Sequence, residues 1–128
     1  MKEKGEILLM EVLVKAKIDN EEEETLFEGK GTFDQEKDVL RYTDNFATLS
    51  IFINEDIMLR ETKDSLLSYK FKEKEKTNFE VLLKDLNQQG YVKMETYKIE
   101  KQKNSYKVVY QIEGNDFKHT YYVEWRIL

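Results

Sequence analysis

The strongest constraint on this chain is a pair of period-two runs at its C-terminal end. Tyr106, Val108, Tyr110 and Ile112 alternate with Lys107 and Gln111. After Gly114-Asn115-Asp116, Tyr121, Val123, Trp125 and Ile127 alternate with Thr120, Glu124 and Arg126. Successive side chains of a strand point to opposite faces, so each run demands a sheet with one dry side and one wet side. The Gly-Asn-Asp segment between them predicts a hairpin turn.

The same alternation runs through most of the chain. Residues 7–19 place Met10, Val12, Val14, Ala16 and Ile18 on one face. Residues 25–33 put Phe27, Gly29, Gly31 and Phe33 on a shared face. Two glycines between two rings predict a bend, a bulge, or a large group lying against the backbone. Short strands over 39–43, 46–53 and 57–62 follow, joined by Asp44-Asn45 and Asn54-Glu55-Asp56, residue types that accept left-handed turn conformations. A strand over 65–72 carries Leu67, Tyr69 and Phe71 inward, and one over 91–101 switches its apolar face near Thr96, which predicts a bulge there. In between, Phe79, Leu82, Leu83 and Leu86 fall at i, i+3, i+4 and i+7, with Thr77 and Glu80 as a capping box and Gly90 as a stop. That spacing predicts a helix over 78–89.

About nine strands and one short helix result, with no repeat and no interdomain linker, so residues 1–128 read as one domain. Tight turns in chain order make an up-and-down antiparallel meander. An open sheet of that width would leave a large apolar face that one helix cannot cover. Closure into a barrel removes both the bare face and the bare edges.

Composition narrows the function classes. Charged residues make up 37% of the chain and aromatics 12%, with a net charge of −5. That balance argues against nucleic acid and against anionic membranes, and the mixed Lys70–Lys76 stretch reads as a solvated connector because Glu73 and Glu75 interleave it. There are no cysteines, so thiol catalysis and zinc–thiolate sites are excluded. His119 is the single histidine, which rules out any two-histidine metal clamp, and reads as a rim residue. Glu21 to Glu24 read as a solvated hairpin tip, since contiguous side chains do not converge as calcium ligands do. The apolar run 7–10 is too short for a signal h-region or a membrane span, so a cytoplasmic protein is expected.

Four segments resemble the YwiB-like β-barrel family: Gly29-Lys30-Gly31-Thr32-Phe33, Arg41-Tyr42-Thr43-Asp44, Ile57-Met58-Leu59-Arg60 and Tyr122-Val123-Glu124-Trp125. These are small bacterial proteins of calycin-like fold and unassigned function. The resemblance spans nearly the whole chain and implies a calycin-like, lipocalin-like barrel from a bacterial cytoplasm. It transfers no catalytic residue. The chain departs from the family pattern at 78–89, where it reads as helix. An arginine stacked over a tryptophan closes one end of many calycin-like barrels, so the resemblance implies Arg60 or Arg41 over Trp125.

The expected function is therefore a non-enzymatic barrel without cofactor, catalytic residue or metal, binding a small amphiphilic, fatty-acid-like ligand as a monomer or homodimer. Arg60, Tyr69, Tyr106, Tyr110, Tyr121 and Trp125 are the expected lining, with Arg60 gripping a carboxylate. Phe27, Phe33 and Phe71 share that inward side. The alternative is a protein–protein interaction or scaffold barrel whose rings simply fill the core.

Overall fold

The computed structural model describes Leu9–Leu128. Ten strands run in chain order: β1 (Leu9–Asp19), β2 (Glu24–Asp34), β3 (Val39–Thr43), β4 (Thr48–Phe52), β5 (Ile57–Glu61), β6 (Ser65–Lys70), β7 (Lys76–Leu83), β8 (Gln88–Gln102), β9 (Ser105–Ile112) and β10 (His119–Ile127). Each pairs antiparallel with the next, and β10 returns to pair with β1, closing an up-and-down barrel. The expected start of the first strand at residues 7–8 lies outside the described residues. Among the described residues no helix is long and apolar enough to cross a membrane.

Register carries the alternation around the wall. Val12, Gly31, Tyr42, Leu49, Arg60, Leu67, Val81 and Gly90 follow one another pair by pair from β1 to β8, all on the inner face. Val12, Val14, Leu40, Leu49, Val108 and Val123 are sealed from solvent within that face. Burying an aliphatic side chain of this kind contributes about 1.5–3 kcal/mol. The register shift expected near Thr96 falls between Thr96 and Lys98, and it returns Ile99 to the inner side opposite Val108.

The glycines of β2 have separate reasons. A Cβ at Gly31 would stand 2.6 Å from the Arg41 carbonyl oxygen and 2.9 Å from Val14 Cγ2, so β2 needs glycine to approach β3 closely. At Gly29 a Cβ would meet Phe27 Cζ at 2.7 Å, because the Phe27 ring folds over Gly29 and stacks on Tyr42 at 5.1 Å between centroids.

The helix expected over 78–89 is replaced by a hairpin. Residues 76–83 form β7, residues 84–87 turn, and Gln88 begins β8. Phe79 pairs with Tyr69 on one side and Val92 on the other, so β7 is the wall between β6 and β8. Without it the barrel would have two open edges, and the ladder bonds of an interior strand outweigh local helix preference. The Thr77 hydroxyl donates to the Lys70 carbonyl instead of capping a helix, and Leu86 sits exposed at the turn. The strand count therefore rises from nine to ten.

Candidate site in the barrel interior

Turns 20–23, 44–47, 62–64, 84–87 and 113–118 share one end of the barrel, called here the His119 end; turns 35–38, 53–56, 71–75 and 103–104 share the other, the Trp125 end. Rings fill the space between. Tyr69 contacts Phe79 at 4.9 Å, Tyr110 edge-on at 5.8 Å and Phe71 at 6.0 Å, and Phe71 reaches Tyr110 at 5.4 Å. His119 stacks on Tyr110 at 5.5 Å with the planes 16° apart.

Arg60 is the charged member of the inner ring of residues, flanked in register by Leu49 and Leu67, and it is half-buried. Among the described residues no carboxylate comes within ion-pair distance of it. Its charge is felt at two phenols. Burial raises the Tyr69 pKa and the Arg60 guanidinium opposes that rise. Burial, reinforced by Tyr69, pushes Tyr110 up further, again against Arg60. Opposite, His119 Nδ1 is buried with no hydrogen-bond partner among the described residues. Tyr121 is sealed and bonds the Tyr42 hydroxyl at 2.7 Å. The arrangement is an aromatic lining with one cation, two neutral phenols and one unsatisfied imidazole nitrogen, chemistry suited to accepting a single negative group beside an apolar body.

Four of the six residues expected from sequence thus gather: Arg60, Tyr69, Tyr110 and Tyr121. Tyr106 and Trp125 belong to the other end. Tyr106 donates its hydroxyl proton to Asp56 Oδ1 at 2.9 Å, and Lys101 pairs with the same oxygen at 3.1 Å, a clasp that ties turn 53–56 to β8 and β9. Burial leads in raising the Tyr106 pKa, and the Asp56 charge adds to it. Trp125 stacks on Phe33 at 5.3 Å. The arginine lid over Trp125 is therefore not formed. Phe33 takes that face, Arg41 points outward to donate to Ser50 Oγ at 2.9 Å, and Arg60 faces the tyrosines. Cation–ring contacts among the described residues are Lys93 over Tyr91 and Lys118 over Tyr97.

Sequence reasoning left out Tyr42 and His119 as lining residues. Both were legible by parity, since Tyr42 continues the Leu40 face and His119 continues the Tyr121 face.

The outer wall offers other recesses. One of about 510 Å³ lies around Lys17, Glu100, Lys107 and Tyr122. Its charges are already matched, Lys98 to Glu100 at 2.7 Å and Lys17 to Glu24 at 3.0 Å. It is a solvated groove between paired side chains rather than a built site.

Fold and interior together define a closed ten-stranded antiparallel barrel with a ring-packed bore and one inward arginine. This is a YwiB-like β-barrel fold: the chain is similar to the crystal structure of ywiB protein from Bacillus subtilis, with a TM-score of 0.55. The match covers 94% of this chain and 92% of that one at 12% sequence identity, so the likeness is one of fold. No family model matches the sequence, and no curated protein matches it.

Proposed function

We propose that this is a non-enzymatic, cofactor-free cytoplasmic barrel that binds a small carboxylate with an apolar body at its His119 end, in the manner of calycin-like ligand carriers. Arg60 carries the reading: a guanidinium set among core-facing residues without a carboxylate partner among those described calls for an anion from outside. Rings packed against one another through the bore favour a short acyl or aryl acid held near the mouth over a long fatty acid threaded along the barrel. The hairpins of this end carry Glu21–Glu24, Asp44, Asp64, Asp85, Glu113 and Asp116 against Lys63, Lys84 and Lys118, a net-acidic field that opposes polyanions more than a monocarboxylate.

Native mass spectrometry of freshly purified protein, followed by calorimetric titration with medium-chain and aryl carboxylates, tests this. A carboxylate that binds the natural chain and loses about tenfold or more in affinity to Arg60→Met supports the proposal. A sole apo mass with no heat of binding across the series sinks it. A second reading, a protein–protein interaction or scaffold barrel, draws on the stacking of Tyr69, Phe71, Phe79, Tyr110 and His119, which already fills much of the interior. That second reading is the one an apo-only result favours.

A further inference from the structure

The barrel wall is incomplete along two stretches, one on β8 and one on β2. β8 pairs with β7 from Gln88 onward, but β9 joins it only at Met94. Glu113 takes up both backbone groups of Lys93: its N–H donates to the Lys93 carbonyl at 2.8 Å, and its carboxylate accepts from the Lys93 N–H at 3.2 Å. Residues 88–92 then present an outer edge that has no partner among the described residues. A bare edge is a template for pairing, and proteins guard such edges with charge, proline or bulges. On β2, residues 24–30 also lack a second neighbour, yet Glu24, Glu28 and Lys30 guard them. Gln88-Gln89-Gly90-Tyr91-Val92 carries neither charge nor proline. The same hairpin exposes Leu83, Leu86, Tyr91 and Val92, with Leu86 at 63% and Tyr91 at 61%. Beside Gly90 the space is open, since a Cβ there would meet nothing within 4 Å.

We propose that this edge pairs with the same edge of a second copy, antiparallel about a two-fold axis at Gln89. Charge selects the partner and the direction. The edge is bracketed by Asp85 and Lys93, opposite in sign and each four positions from Gln89. Antiparallel pairing brings the turn that carries Asp85 toward the other copy's Lys93, whose ammonium also holds Asn78 Oδ1 at 2.9 Å, whereas parallel pairing sets like against like. Lys84, the other charge of the turn, is already held by Glu61 at 2.6 Å and the Thr62 carbonyl at 2.9 Å. The contact uses one patch on both copies, so it closes at two and covers Tyr91 and Leu86 together.

Sedimentation velocity on the full chain, from micromolar to submillimolar concentration, gives the first reading. The expected result is a concentration-dependent dimer whose dissociation constant rises about tenfold or more in Gln89→Lys, which sets like charges opposite each other at the axis. The melting temperature of that variant, measured where it is monomeric, stays unchanged because Gln89 is exposed. Gln89→Cys, in a chain with no other cysteine, gives a disulfide-linked dimer under mild oxidation, since facing Cα atoms of an antiparallel ladder lie about 4.5–5.5 Å apart. Leu26→Cys on the guarded edge crosslinks much more slowly. A monomer throughout, a dimer indifferent to Gln89→Lys, or equal crosslinking at Leu26 and Gln89 overturns the proposal.

Discussion

The hydroxyls of Tyr42 and Tyr121 lie 2.7 Å apart in the barrel interior, joining β3 to β10 across 79 residues of chain. Each is the other's partner in a place where an unsatisfied hydroxyl is costly. Removing one, as Tyr42→Phe or Tyr121→Phe, should destabilise the fold by about 1–3 kcal/mol, because the remaining hydroxyl stays buried and unpaired. The double variant should lose clearly less than the sum. Urea melts of all four proteins check this, and strict additivity would mean the pair does not interact.

Alkaline pH should unfold the barrel more readily than its salt bridges alone suggest. Burial pushes the Tyr42 phenol up to about 12, with the Tyr121 hydrogen bond opposing, and it raises Tyr69, Tyr106, Tyr110 and Tyr121 as well. A raised phenol pKa means the folded chain keeps protons that the unfolded chain releases at about pH 10. This contribution is complete below that pH and is lost as pH climbs, through about 12 for Tyr42. Each such phenol adds a slope of about 1.4 kcal/mol per pH unit. Denaturant midpoints at rising pH, read together with tyrosinate absorbance, should fall steeply with unfolding and ionisation coincident. Ionisation of these phenols in a still-folded protein would contradict their burial.

Gly31 and Gly29 should respond differently to the same added methyl. Gly31→Ala drives a Cβ into the Arg41 carbonyl and Val14, which the paired strands hold in place. Gly29→Ala meets only the tip of the Phe27 ring, which can turn aside. Overpacking of a fixed site costs about 1–3 kcal/mol, so Gly31→Ala should lower stability by that much and Gly29→Ala by less. Gly31→Val should be worse than either. Thermal melts of the three variants rank them, and an unchanged Gly31→Val would refute the close approach.

Trp125→Ala should cost about 3–5 kcal/mol, since the ring is only 7% exposed and stacks on Phe33. A loss below about 1 kcal/mol in urea melts would place the indole at the surface.

Period-two alternation is a local signal, and it was legible wherever one face of a strand is buried. β1, β3, β5, β9 and β10 follow it closely, and the bulge beyond Thr96 showed as a change of parity. β7 was read as helix because Phe79, Leu82, Leu83 and Leu86 satisfy a helical stripe as well. Leu82 sits half-buried on the outer side, Leu83 is exposed and Leu86 lies in a turn, so three of the four leave the core. The interior site divides in the same way. Inward parity for Arg60, Tyr69, Tyr110 and Tyr121 follows from alternation, whereas their meeting depends on the stagger of strands around the wall.

The amino-acid sequence by itself determined which side chains outside β7 share the dry face and made closure the expectation, because strand parity and the cost of bare apolar surface act residue by residue. Only the tertiary structure decided that β7 is a strand, that Phe33 and not an arginine stacks on Trp125, and that residues 88–92 of β8 stand without a second neighbour. Those outcomes depend on which strands meet and at what register, and register is a property of the assembled barrel that no single segment encodes.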